Sequence, residues 1–267
     1  PMKISIIKIG GNVIDFPDKL EEFLALFSKF PGHKILVHGG GVLASRFGES
    51  LGVMPEMVDG RRITDKDTLD IVTMVYAGLI NKNMVAKLQA LNVNAIGLTG
   101  ADGNLIQSVK RPVKNIDYGF VGDIEKVNTS FLNTLLEGGL YPVICAITHD
   151  KSGQLLNTNA DAIASALATT LAKEHHVNLY FCFNKSGVLV DEKNENSIIP
   201  LINEEIFVEL RKENVIHSGM IPKLDNAFEA LKKGVHHVWI GKAENLLLAA
   251  KGKLSGTIIE RHRYDLY

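Results

Sequence analysis

Cysteine is nearly absent from these 267 residues: Cys145 and Cys182 are the only two, and both sit in apolar runs. Such a pair supports neither a disulfide framework nor a cysteine zinc site, and it fits a reducing compartment. Charge bias is lacking as well. Lysine plus arginine number 29 against 30 for aspartate plus glutamate, so the basic excess of a nucleic-acid binder is missing. No apolar run approaches the ~20 residues that span a bilayer. No charged n-region with an apolar h-region precedes the first strand-like run. There is no Pro/Gly/Ser-rich linker, no low-complexity run and no internal repeat. The motifs G-x-x-x-x-G-K-[ST], G-x-G-x-x-G and H-E-x-x-H are absent. That disfavours the usual P-loop, dinucleotide and zincin readings. The expectation is a soluble cytoplasmic protein with no nucleic-acid and no membrane partner.

What is present is a regular alternation. Hydrophobic residues make up 46% of the chain, enough for a sizeable core. Lys3 to Ile9, Ile35 to Val37, Val93 to Leu98, Tyr141 to Ile147, Val177 to Phe183 and Val235 to Ile240 read as buried strands. Leu20, Phe23, Leu24 and Phe27 recur at helical spacing, as do Ile163, Leu167 and Leu171, and Leu224, Ala227, Phe228 and Leu231. Thr64 with Asp67 reads as the start of a long helix running to about Leu91. Asn159 reads as a cap, and Pro222 fits a first helical turn. Lys110 to Ile124 reads as an extended hairpin turning at Asp117-Tyr118-Gly119. Strands alternating with helices predict an α/β fold whose mainly parallel sheet is covered on both faces. A polar step at Lys173 to His176 is the candidate boundary between two lobes, residues 1–173 and 174–267.

Three glycine clusters follow three of these strands: Gly10-Gly11, Gly39-Gly40-Gly41 and Gly100-Ala-Asp-Gly103. Ligands of open α/β sheets bind beyond the carboxyl ends of strands. Glycine there lets backbone N–H groups approach an anion. One cluster alone is an ordinary tight turn; several at strand ends point to anion binding. Lys8 lies one residue before the first glycine pair, where a phosphate contact suits it better than an edge-strand role. Lys223 sits in a first helical turn, where the macrodipole disfavours a cation, so it is either a solvated lysine or a functional one. Asp161, Asn157 and Asn159 fall within five residues; each alone could be a cap or first-turn acid, and together they could hold a substrate and orient lysines. Arg61 and Arg62 are candidates for bidentate carboxylate binding. His175-His176 and His236-His237 are poor chelates, because adjacent strand residues face opposite ways.

In chain order the sequence carries Lys8-Ile-Gly-Gly11, His38-Gly-Gly-Gly41, Gly60-Arg-Arg62-Ile-Thr64, Gly97-Leu-Thr-Gly-Ala-Asp-Gly103, Gly119-Phe-Val-Gly-Asp123, Asn157-Thr-Asn-Ala-Asp161 and Gly219-Met-Ile-Pro-Lys223. This ordered set resembles the acylglutamate branch of the amino-acid kinase family over almost the whole chain. The resemblance implies a three-layer αβα sandwich with an acylglutamate-binding, dimer-forming N-terminal lobe and an ATP-binding C-terminal lobe. The implied reaction transfers a phosphoryl group from MgATP to the side-chain carboxylate of an N-acylated glutamate, with acetyl as the acyl group and succinyl as the alternative. A non-catalytic sensor on the same fold is a second alternative. Lys8 and Lys223 are implied to stabilise the phosphoryl group, with Asp161 holding both, and Gly11 and Gly40 to offer N–H groups. Gly40, Gly41, Arg62, Asn157 and Asn159 are implied substrate contacts. Lys8, Gly10, Gly11, Asn184, Ser186, Gly187, Met220 and Lys223 are implied nucleotide contacts. Mg²⁺ is implied to ride on the nucleotide, with no protein metal ligand. Because the chain starts at its first strand, the resemblance implies a homodimer without strong arginine feedback. The sequence departs from the family where Asn184 replaces an aspartate, where Ile258 follows Gly256-Thr257, where Val143 to Ile147 lacks a proline, and where Arg61 stands for a leucine.

Overall fold

In the Lys3–Ile9 strand, Ile4 and Ile6 on one face and Ile7 and Ile9 on the other are all buried. A strand dry on both faces needs helices on both, and the computed structural model has them. It describes residues 1–261. Eight strands form the central sheet, in the order Leu201–Ile202, Thr257–Ile259, His237–Gly241, His176–Cys182, Lys3–Ile9, His33–His38, Tyr141–Cys145, Ala95–Leu98. Every neighbouring pair is parallel except His237–Gly241 with Thr257–Ile259. This is the expected three-layer α/β sandwich. The strands of residues 1–173 and those of 174–267 meet at one seam, Lys3–Ile9 beside His176–Cys182.

The helices follow the apolar periodicity. Phe23, Leu24 and Phe27 bury one face of Pro17–Lys29, and Ile163, Leu167 and Leu171 do so in Ala160–Leu171. Leu224, Ala227, Phe228 and Leu231 do the same in Ile221–Lys232, with Pro222 in its first turn. Asn159 caps its helix by accepting from the Ala162 N–H.

Four local readings are corrected. The long helix is capped by Asp65, which accepts from the Thr68 N–H at 2.8 Å, and not by Thr64. Thr64 is buried and instead bonds the Tyr118 carbonyl through its N–H. The middle of that helix, Thr73–Ile80, is π-helical, between α-helical Lys66–Val72 and Asn81–Ala90. The hairpin strands are Ile106–Lys110 and Gly122–Val127, so residues 111–121 form its long loop. Apolar Tyr141 to Ile147 breaks at Ala146 into Tyr141–Cys145 and Ile147–His149, and the second piece joins a separate four-stranded sheet with the hairpin and Leu155–Asn157. An unbroken apolar run conceals such a switch between sheets.

Candidate active site

The sheet order places the carboxyl ends of Lys3–Ile9 and His33–His38 side by side, so the two glycine turns that follow them touch. A Cβ built on Gly11 would stand 3.2 Å from the Gly41 Cα, and one on Gly10 would stand 3.3 Å from Lys8 Nζ. Gly41 has φ +53°, a left-handed backbone that glycine adopts without strain. Gly39 packs against Ala160, the residue before Asp161.

Asp161 draws in two lysines from opposite halves of the chain. Lys8 Nζ lies 2.9 Å from its Oδ1 and Lys223 Nζ lies 3.6 Å from its Oδ2. Both are ion pairs, the first too poorly aligned to count as a hydrogen bond. Lys8 arrives along the first strand and Lys223 in the first turn of Ile221–Lys232. Lys223 also rests between the rings of Phe181 and Phe183, about 5 Å from each centroid, a cation–π seat that offsets part of its desolvation. Burial pushes the Asp161 carboxyl up, but the two ammonium groups outweigh it and hold the net shift below the usual range. Burial lowers Lys223, and the Asp161 charge opposes that shift. The result is a clamp with one negative and two positive charges, hence a net cation.

A cavity of about 1300 Å³ opens over this clamp. Asp161, Lys223, Gly39, Gly41, Arg62, Asn157 and Asn159 line it, and so do Asn184, Gly187 and Met220 from the other half of the chain. Lys8, Gly10, Gly11, Gly40 and Ser186 do not. Lys8 and the first glycine pair lie behind Asp161 and Asp15, and Gly40 is buried beneath the Tyr76 ring. Ser186 is turned toward Glu195, which accepts from its N–H at 3.0 Å and its Oγ at 2.7 Å. Lys185 and Lys242 stand 3.5 and 3.7 Å from the same carboxylate. These bonds, led by the Ser186 hydroxyl, draw the Glu195 carboxyl down to about 2.

The two arginines part company for a geometric reason. Asp59 (φ +50°) and Gly60 (φ +74°) form the tight turn between Met57–Val58 and Arg61–Arg62, and both having positive φ suits a two-residue hairpin. Adjacent strand residues then face opposite ways. Arg62 turns inward and donates to Ser45 Oγ at 3.0 Å, while Arg61 stays exposed on the cavity rim. Asn157 donates to Thr64 Oγ1 at 3.2 Å, tying the same wall to the arginine hairpin. Of the hairpin cations, Arg111 is held by Asp123 at 2.7 Å and Lys110 lies 5.0 Å over the Phe120 ring.

Sequence reasoning did not single out Tyr76, Ser45, Asn81 or Glu195. Tyr76 and Asn81 sit in an apolar helical stretch whose periodicity reads only as core. Their proximity to the glycine loop depends on the π-helical turn, which no residue pattern announces. Among the described residues, no cluster of three or more His, Cys, Asp or Glu side chains is arranged to hold a metal. None of their helices is long and apolar enough to cross a membrane.

Residues 3–242 match the amino acid kinase family. Acetylglutamate kinase of Phocaeicola vulgatus is 52% identical over 259 residues, covering 97% of this chain and 99% of that protein. Acetylglutamate kinase of Cytophaga hutchinsonii is 54% identical over 257 residues, covering 96% and 97%. The crystal structure of smu.665 from Streptococcus mutans is similar with a TM-score of 0.75 at 29% identity, covering 96% of this chain and 98% of that one. On its sequence and its fold alike, the chain belongs to the amino acid kinase family.

Proposed function

We propose that the protein phosphorylates the γ-carboxylate of N-acetyl-L-glutamate with MgATP, a step of arginine biosynthesis. The observation that carries this reading is the Lys8–Asp161–Lys223 clamp beside the paired glycine turns. It is supported by relatives named for that activity at about half identity over nearly their full length.

The chemistry asks little covalent work of the protein. A γ-carboxylate is ionised at neutral pH, so it attacks phosphorus without a general base. An oxygen–phosphorus bond forms, the bond from the γ-phosphorus to the bridging oxygen breaks, and ADP leaves with the electron pair. Catalysis is then positioning and charge stabilisation. In this reading Lys8 and Lys223 face the oxygens of the phosphoryl group in transit, one from each half of the chain. Asp161 fixes the lysines at a separation neither would keep alone, since like charges repel. Gly11 and Gly40 supply N–H donors. Arg62, already oriented by Ser45, pairs with the α-carboxylate, helped by Asn157, with Gly41 and Asn159 completing the wall. Gly10, Asn184, Ser186, Gly187 and Met220 surround the nucleotide.

The donor set suits phosphate: ammonium groups and backbone N–H, with both Asp161 oxygens facing lysines. Those residues therefore fit a triphosphate that brings its own Mg²⁺. When bound, that ion neutralises charge on the β- and γ-phosphates. Residues 1–173 form the acylglutamate-binding lobe and residues 174–267 the ATP-binding lobe. The protein is further read as a cytoplasmic homodimer joined through the N-terminal lobe; a monomer in sedimentation equilibrium would overturn the dimer. The functional test is hydroxamate trapping of the acyl phosphate with free glutamate and N-acetylglutamate as acceptors. Product from N-acetylglutamate alone supports the reading, and product from free glutamate alone sinks it.

A further inference from the structure

Behind the second glycine turn lies a buried polar chain that the proposed chemistry does not use. His38 and Asn81 are both 0% exposed. His38 Nδ1 is 2.7 Å from the Gly39 carbonyl oxygen, and His38 Nε2 is 3.0 Å from Asn81 Nδ2. Asn81 Nδ2 also reaches the Val143 carbonyl at 3.0 Å. Lys82 Nζ stands 2.8 Å from Asn81 Oδ1 and 3.1 Å from the Gly97 carbonyl.

Donor and acceptor bookkeeping fixes every proton in this chain. Lys82 can only donate, so the atom of Asn81 facing it is the oxygen. The Asn81 nitrogen then faces the Val143 carbonyl, which can only accept, and gives its second hydrogen to His38. His38 Nε2 must therefore be bare. The Gly39 carbonyl can only accept, so Nδ1 must carry the hydrogen. The imidazole is neutral, in the Nδ1–H form. Burial pulls its pKa down to about 4, the Gly39 bond opposing this and the Lys82 charge adding to it.

The consequence falls on the loop. A trans peptide points its C=O and the next N–H in opposite directions. Tethering the Gly39 carbonyl to His38 therefore turns the Gly40 N–H away from the core side, and among the described residues that N–H has no backbone partner. Glycine has no side chain to hold such a plane, and its backbone is the freest of all. The π-helical stretch Thr73–Ile80 leads directly into Asn81 and carries Tyr76, whose ring fills the space where a Gly40 Cβ would stand. One helix thus braces the turn from two points.

We propose that Asn81 and the neutral Nδ1–H form of His38 are positioning residues that set the peptide plane of the Gly39–Gly40 turn for the transferred phosphoryl group. This rests on the phosphoryl-transfer reading of the site, but its first test needs no substrate. Histidine ¹⁵N NMR on the full chain, with His38→Gln to assign the signal, should show Nδ1 protonated and Nε2 bare, unchanged from pH 8 to pH 5. An Nε2–H signal, or titration near pH 6.5, overturns the proposal. Asn81→Leu removes the donor that holds Nε2, so the ring and the Gly39 carbonyl bonded to it are free to turn. The expected result is a changed His38 ¹⁵N signal together with a kcat lowered by about tenfold or more, at KM values within about twofold, the pattern of lost positioning. If that variant does not fold, Asn81→Ser is read in its place. Wild-type kcat in either folded variant overturns the proposal. A wild-type protein that makes no acyl phosphate sinks the functional reading alone, and the tautomer measurement still decides this one.

Discussion

Acid should destabilise this protein through His38 before most of its carboxylates are protonated. The folded pKa is about 4 against an ordinary 6.5, so between those limits the unfolded chain binds a proton that the native state refuses. Stability therefore rises with pH across this window and falls on acidification. At pH 5 the unfolded group is almost fully protonated and the folded one about one-tenth so. The difference amounts to roughly 2 kcal/mol, and to about 3 kcal/mol as pH approaches 4. Against a total stability of about 5–15 kcal/mol that is a large share. Lys82 is the charge that faces the ring, and it acts in the same direction as burial. His237, also held down to about 4 by burial and by its histidine neighbours, adds to the same window. The assay is urea unfolding at pH 7 and pH 5, on wild type and His38→Gln. Glutamine keeps a donor and an acceptor and does not titrate. The wild type should lose about 2 kcal/mol more than the variant between the two pH values. Equal losses would refute the reasoning.

Lys8→Ala and Lys223→Ala should each lower kcat by roughly 10²–10³, the scale of losing one transition-state donor; steady-state kinetics showing near-normal turnover would remove that lysine from the mechanism. Arg62→Leu should raise the acylglutamate KM about tenfold to a hundredfold, the worth of a charge-assisted pair of about 1.5–3 kcal/mol, and an unchanged KM would send the α-carboxylate elsewhere. N-Acetylglutamate should be preferred to N-succinylglutamate in kcat/KM, because Arg111 is already held by Asp123; succinyl preference lost in Arg61→Leu would show instead that the rim arginine reads a third carboxylate.

Six of the sheet's eight strands were legible because they are largely dry and so read as apolar runs, from Lys3–Ile9 through His176–Cys182, whereas Leu201–Ile202 and Thr257–Ile259, of two and three residues, were too short to announce themselves. The helices were legible wherever one face is core, as in Ala160–Leu171. Legibility failed where a single contact overrides a pattern. Thr64 looks like a cap, yet a bond to Tyr118 pulls it into the core and leaves capping to Asp65. Leu43–Ser50, Thr129–Glu137 and Glu204–Lys212 were not anticipated, being short helices with few buried positions. For the site, Lys8 and Lys223 stood out as cations in unfavourable places, and the fold explains both by bringing Asp161 between them. Asn81 could not be singled out, because an asparagine in a helix declares nothing until its partners are known.

The central claim is that the clamp of Asp161 with Lys8 and Lys223 moves a phosphoryl group onto N-acetylglutamate. Its most direct measurement is ³¹P NMR of the purified protein with MgATP and N-acetyl-L-glutamate. The account predicts an acyl phosphate resonance growing in step with ADP, and neither signal from Asp161→Ala on the same timescale. ATP that binds but stays intact beside N-acetylglutamate, as it would in a sensor, would contradict the account.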